Sequence, residues 1–306
     1  MLRLIATLLL FFAASFPVSA QAQEKIKTVA SFSILADFVK NVGGERVVVT
    51  SLVGPSADAH VFSPTPQDAQ RLAAADLVFI NGLGFEGWIE RLLKSSATKA
   101  DVIVATKGIA PLKKAAKDKG HDHDHDGHDH ASGDPHAWQS VANAKIYVAN
   151  IRDALIAKDP AGRAYYEANA GAYLARLAAL ETEVKEAVAS LPPERRRIIT
   201  SHDAFGYFAA AYGLAFIAPQ GVSTETEASA RDVARIVAQI RREKIPAVFL
   251  ENISDPRLLR RISEETGTKI GGALYSDALT DEKGDAPTYI DMVRHNIRTL
   301  GAALSS

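Results

Sequence analysis

The chain of 306 residues contains no cysteine. That absence excludes disulfides, thiolate ligation of a metal ion, and attachment to a membrane through an acylated N-terminal cysteine. An excess of charge of either sign is also missing. The 35 Lys and Arg oppose 36 Asp and Glu, for a formal net charge of -1, so nothing suggests nucleic acid as a partner. Long hydrophobic runs are absent beyond the first residues. Stretches such as Ala247-Val-Phe-Leu250 are strand-sized and far short of a membrane span.

The N-terminus is the exception. Met1-Leu-Arg-Leu-Ile-Ala-Thr-Leu-Leu-Leu-Phe-Phe-Ala-Ala-Ser-Phe-Pro17 joins one early positive charge to an apolar stretch, and small residues follow at Val18-Ser-Ala20 and Ala20-Gln-Ala22. This pattern predicts a secretory signal over residues 1–22, cleaved near Ala20 or Ala22, and an exported, periplasmic mature protein. The remaining chain of roughly 280 residues exceeds the usual single-core size, which favours two lobes.

Short β-branched runs at 26–31, 46–53, 77–80 and 101–105 alternate with helical patterns such as 34–42 and 65–75. The scheme returns at 197–200, 214–218, 247–250 and 272–275. Strand alternating with helix predicts mostly parallel sheets covered on both faces. Between the halves, residues 161–191 hold no proline and, past Gly162 at their start, only Gly171 as an internal turn former. Tyr173, Leu177, Leu180, Val184, Ala187 and Leu191 step by three and four, the period of one helix face. Pro192-Pro193 ends the pattern, and a break at Gly171 into two helices is the competing reading. The expected fold class is therefore α/β: two similar lobes, each a mostly parallel sheet flanked by helices, joined by one long rigid helix. The expected bounds are 23–158 for the N-terminal lobe, 159–191 for the linking helix and 192–306 for the C-terminal lobe.

Histidine is what the chain has in one place. Five of its nine histidines, His121, His123, His125, His128 and His130, fall in one run interleaved with aspartate. Imidazole with neighbouring carboxylates points to divalent metal ions. The run is low-complexity and cannot build a core, so residues 116–133 are expected to be a disordered loop offering weak, auxiliary contacts without fixed geometry. A selective site must be sought elsewhere. His60 lies in the loop after the run 47–53, His202 directly follows the run 198–201, and Asp277 stands after the last strand pattern. Such strand ends are where open α/β sheets bind ligands. With His136, they would place two ligands from each lobe around one ion in the inter-lobe cleft, a donor set suited to tetrahedral coordination. Taken singly, each has a plainer reading: a strand-end histidine can simply be solvated, and Asp277 can cap a helix. His295 falls off the apolar stripe Ile290, Val293, Ile297 and Leu300 and reads as a surface residue.

Six segments in order then carry a family resemblance: Asp58-Ala-His60-Val-Phe-Ser-Pro64, Asn81-Gly-Leu-Gly-Phe-Glu-Gly-Trp88, Asp134-Pro-His136-Ala-Trp138, Thr200-Ser-His202-Asp-Ala-Phe-Gly-Tyr207, Thr224-Glu-Thr-Glu-Ala-Ser229 and Tyr275-Ser-Asp277. With these the chain resembles the zinc and manganese solute-binding proteins of bacterial ABC transporters, of the ZnuA and AztC kind. The resemblance implies metal held between the lobes by residues matching His60, His136, His202 and Asp277, and a histidine-rich loop that goes with zinc members. It also implies a branch point at the third ligand, typically Glu in manganese members and His in zinc members. His202 stands there, and nitrogen-rich sites suit zinc while manganese prefers oxygen. Many zinc members carry a cysteine pair in the second lobe, which this chain lacks.

The expected function is thus a monomeric periplasmic protein, not an enzyme, that captures Zn(II) and delivers it to the cognate ABC permease. A periplasmic zinc metallochaperone is a candidate second partner. The alternatives are a manganese-binding transporter subunit, or a zinc hydrolase with Glu251 as general base. The hydrolase is disfavoured because four protein ligands close the coordination shell that catalytic zinc keeps open.

Overall fold

The computed structural model describes residues 24–112 and 133–305. The expected signal over 1–22 and the loop histidines His121, His123, His125, His128 and His130 lie outside the described residues. In the first half β1 (Ile26–Phe32), α1 (Ser33–Gly43), β2 (Val47–Val53), α2 (Pro66–Ala73), β3 (Leu77–Ile80), α3 (Ile89–Ser96) and β4 (Asp101–Val104) follow one another. Their strands pair in parallel in the order β2-β1-β3-β4. Two helices come next, α4 (Val141–Lys158) and α5 (Arg163–Ala189). The second half adds β5 (Arg197–Ile199), α6 (Gly206–Tyr212), β6 (Ala215–Ile217), α7 (Ala230–Glu243), β7 (Ala247–Glu251), α8 (Arg257–Thr266), β8 (Lys269–Leu274) and α9 (Tyr289–Leu304). Its sheet is again parallel, in the corresponding order β6-β5-β7-β8. Two lobes of one topology result, as the alternating patterns predict.

Local chemistry sets the element ends. Thr65 caps α2 in a reciprocal box: its hydroxyl oxygen accepts the Asp68 N–H while Asp68 Oδ2 accepts the Thr65 N–H, and Pro66 takes the first helical position. Asp159 performs the same service between α4 and α5. Its carboxylate accepts the Gly162 N–H at 3.2 Å, the Tyr166 hydroxyl at 2.8 Å and the Arg46 guanidinium at 2.6 Å. That cluster pins the start of α5 to the first lobe. Arg46 and Asp159 hold each other in their charged forms: burial works against Asp159's charge, but the guanidinium lowers its pKa below the usual range.

The expected linking segment contains α5, which runs unbroken through Gly171, an open position where an added Cβ would meet nothing. At 1.5 Å per residue its 27 residues span about 40 Å. Pro160 starts a separate 3-10 turn that delays the helix to Arg163, and Arg196 donates to Leu191 O beyond its far end. The buried face is Tyr166, Ala170, Tyr173, Leu177, Leu180, Val184 and Val188. This stripe packs against α4, α1 and α9, and α9 in turn lies on β8. One continuous apolar core therefore reaches from the first sheet through α1 and α5 into the second lobe, while a smaller cluster beneath α7 and α8 belongs to the second lobe alone. Phe38 marks the junction, its ring 4.8 Å from Tyr289 and 6.3 Å from Tyr173. Packing of this kind opposes wide hinge opening.

A buried carboxylate sits in the same junction. Asp37 on α1 accepts the backbone N–H of Tyr289 at 3.0 Å and the Tyr173 hydroxyl at 3.3 Å. Burial pushes its pKa up to about 6, against those hydrogen bonds and the charges of Lys40 and Arg176. Because the folded-state value exceeds the unfolded one, the protonated carboxyl favours folding. That contribution is complete below about 3.8 and is lost as pH rises through about 6. Urea unfolding of Asp37→Asn, which cannot ionise, is expected to gain on the native chain by on the order of 2 kcal/mol between pH 4 and pH 7. Parallel curves would show that Asp37 titrates as an ordinary exposed carboxyl.

Candidate metal centre

The four residues His60, His136, His202 and Asp277 are buried and converge on one point, with one donor atom from each lying within 4.8 Å of all the others. Three follow the carboxyl end of a strand, His60 after β2, His202 after β5 and Asp277 after β8, while His136 stands in the turn ahead of α4. Two lobes thus contribute two side chains each. Asp277 Oδ2 lies 3.2 Å from His60 Nε2, 3.6 Å from His136 Nε2 and 3.1 Å from His202 Nε2. His60 Nε2 and His136 Nε2 are 3.3 Å apart. Bonds of about 2.0–2.1 Å in tetrahedral array require donor separations of about 3.3 Å, so the spacing fits a small divalent cation.

Each histidine is held from behind, His60 through its backbone and the other two through backbone and ring. The Asp58 carboxylate accepts the His60 backbone N–H at 2.9 Å, and the indole N–H of Trp88 donates to Ala59 O at 2.8 Å, fixing the turn. Asp134 accepts the His136 backbone N–H at 2.9 Å and sits 2.8 Å from its ring Nδ1. Glu251, the last residue of β7, accepts the backbone N–H groups of Ser201 and His202 at 2.7 and 2.9 Å, and its other oxygen is 2.6 Å from His202 Nδ1. A carboxylate at Nδ1 leaves Nε2 facing the centre. Glu251 therefore occupies the place of an orienting carboxylate, not of a free base.

The lobes are stitched together at the same point. Trp138 Nε1 and Gln139 Nε2, just after His136, both donate to Ser276 O beside Asp277, at 2.9 and 2.7 Å. Asn81, wholly buried, donates to Pro135 O at 3.0 Å and accepts from the Tyr147 hydroxyl, which holds the turn carrying His136. Glu86 receives the Asn81 and Gly82 N–H groups and the Ser31 hydroxyl. Its burial pushes its pKa up despite them. Phe32, Phe85 and Trp138 pack with ring centroids 4.8 to 4.9 Å apart, and Phe85 lies 4.8 Å from the His60 ring.

The electrostatics describe a centre made for positive charge. Burial works against charge on His136, yet Asp277 and Asp134 outweigh it and raise its pKa to about 9. His202 is likewise driven well above its usual value by Glu251 and Asp277 against the cost of burial. For Asp277, burial alone would favour the neutral form, but His136 and His202 hold it well below the usual carboxylate range. Asp277 Oδ1 is buried with no hydrogen-bond partner among the described residues.

The residues quoted from the sequence meet here, whereas the roles of Asp58, Asp134, Asn81 and Glu86 were not read from it. A signal was present for two of them: an aspartate stands two residues before both His60 and His136. His295 lies off the apolar stripe and stays partly exposed, as expected, but its Nε2 is 3.0 Å from Ala273 O and its ring 4.7 Å from Tyr275, so it also docks α9 on β8.

Fold and centre define a class: a two-lobed solute-binding protein with its ligand site between lobes that a long helix holds together. The sequence profile described as "ZnuA: Zinc-uptake complex component A periplasmic" matches residues 28–303. The chain is 36% identical over 282 residues to the manganese-binding lipoprotein MntA of Halalkalibacterium halodurans, covering 92% of this chain and 89% of that one. It is 35% identical over 277 residues to the iron-binding protein YfeA of Yersinia pestis, covering 90% and 86% respectively. Among solved structures, the periplasmic zinc-binding protein TroA of Treponema pallidum superposes with a TM-score of 0.83 at 32% identity, covering 92% of this chain and all of that one. The chain belongs to the ZnuA family, the metal-binding substrate-binding components of ABC transporters, which are not enzymes.

The support beneath His136 is open to test. Replacing Asn81 by Ala strands the buried Tyr147 hydroxyl and leaves Pro135 O with the Ala137 N–H as its donor, and is expected to cost about 2 kcal/mol in chemical denaturation. A loss below about 1 kcal/mol would show the network to be dispensable.

Proposed function

We propose that this protein is a periplasmic zinc receptor that takes up Zn(II) through His60, His136, His202 and Asp277 and passes it to the permease of an ABC importer. The observation that carries the reading is the donor set: three imidazole nitrogens and one carboxylate, all buried, at separations suited to four-coordinate zinc. The family description and the zinc-binding TroA relative support it. Location outside the cytoplasm accords with the lipoprotein and periplasmic names of the relatives. The apolar N-terminal segment and the lack of any cysteine favour a soluble periplasmic form over a lipid-tethered one. The protein acts as a monomer, and binding joins the two lobes so that the permease distinguishes loaded from empty protein. The histidines at 121–130 are an auxiliary, low-affinity antechamber, which a metallochaperone could also address.

Manganese is the second reading. It draws on the manganese- and iron-binding names of two relatives and on Asp277 Oδ1, an unpartnered oxygen that could serve as a fifth, harder donor. Nitrogen ligation through His202 favours zinc over it.

Titration with zinc at fixed free-metal concentration should give one tight site, with affinity falling at least tenfold when His60, His136, His202 or Asp277 is changed to Ala. Unchanged affinity in all four variants would remove the assignment. At equal free Mn(II) and Zn(II) the protein should retain zinc; preferential retention of manganese would transfer the reading to that ion. Deleting residues 116–130 should leave the tight site in place while slowing zinc capture, and loss of the tight site on deletion would show the loop to be part of it.

A further inference from the structure

Each histidine of the centre gives its backbone N–H to a carboxylate: His60 to Asp58, His136 to Asp134, His202 to Glu251, all at 2.9 Å. For His136 and His202 the same carboxylate also meets the ring, at 2.8 and 2.6 Å from Nδ1. Asp58 departs from that pattern. While its Oδ1 holds His60, its Oδ2 accepts the hydroxyl of Thr224 at 2.6 Å, across 166 positions of sequence. Thr224 belongs to the second lobe, in the segment between β6 and α7. One carboxylate thus joins the backbone of a first-lobe histidine to the opposite lobe.

The rest of the 54–60 loop is held in the same manner. Ser56 adopts a left-handed backbone, φ 56°, unfavourable for a residue with a side chain, and its N–H donates to Leu279 O of the second lobe at 2.8 Å. His60 is also the least enclosed member of the centre. It retains 5% exposure where His136, His202 and Asp277 retain none, and its neighbour Val61 is 54% exposed. His60 is therefore the side on which the centre comes nearest to solvent, and movement of the 54–60 loop off the second lobe would widen it. The hydroxyl bond to Asp58 opposes this movement. Thr224 itself is followed by the exposed residues Glu225, Thr226 and Glu227, so another protein can reach the bond from outside.

We propose that the Asp58–Thr224 hydrogen bond is an inter-lobe latch that sets how fast the bound cation leaves, the two residues acting as positioning residues through His60. This rests on the reading of His60 as a ligand. A hydroxyl bond to a carboxylate lost from the closed state alone speeds opening without altering the donor set, so its signature is in the dissociation rate and not in the coordination.

Thr224→Val keeps the side-chain shape and removes the donor. Zinc loss from the full chain to a chromophoric chelator, followed by stopped flow, is expected to be about tenfold faster in this variant than in the native protein. One zinc should still bind per chain, the visible spectrum of the Co(II)-substituted site should be unchanged, and Thr224→Ser should return the native rate. Loss at the native rate from Thr224→Val overturns the latch. An altered Co(II) spectrum also overturns it, because the residue would then shape the site itself. If the native chain binds no zinc or Co(II) at all, the ligand reading falls and the latch falls with it; native binding with an unchanged rate in Thr224→Val removes the latch alone.

Discussion

Asp277 is a carboxylate with no exposure to solvent, and the rest of the molecule is organised around balancing its charge. A buried charge without a partner is costly. Three imidazole nitrogens lie 3.1 to 3.6 Å from one of its oxygens, and two of those rings are themselves backed by Glu251 and Asp134. The arrangement is a nested one: carboxylate, imidazole, carboxylate. In such a setting protons and metal ions compete for the same nitrogens. The carboxylates Asp277, Asp134 and Glu251 raise the proton affinity of His136 and His202, and the same negative potential favours a divalent cation at the centre.

That balance is meaningful only if the donors stay at fixed distances, and the scaffold supplies the fixity. Donors from two lobes converge because α5 and α9 pack into one apolar core with α1. Ser276 O then receives both Trp138 and Gln139 across the cleft. On the His60 side, polar bonds of the 54–60 loop to Thr224 and Leu279 of the second lobe do the holding.

Alternating strand and helix patterns made the two parallel sheets legible, because buried parallel strands and amphipathic helices differ in period. The helix around Gly171 was legible from its three-four stepping, but its start was not: Pro160 and the Asp159 cluster with Arg46 displace it, and Arg46 is 113 positions away. His60, His202 and Asp277 could be found because each follows a strand run. The orienting role of Glu251 could not, since it lies 49 positions from His202 and nothing local links them. The contact of His295 with β8 was hidden for the same reason: a helical stripe identifies the face toward the core, not the strand beside the helix flank. The proposed preference for zinc over manganese draws on nitrogen at His202, a matter of donor chemistry on which the backbone is silent.

The central claim is that one cation sits among His60, His136, His202 and Asp277. Anomalous scattering at the zinc absorption edge from crystals of the zinc-loaded protein tests it most directly. A single dominant peak is predicted, about 2.0–2.1 Å from Nε2 of each of the three histidines and within bonding reach of an Asp277 oxygen. A dominant peak elsewhere, or one that leaves His202 or Asp277 outside bonding distance, would contradict the account.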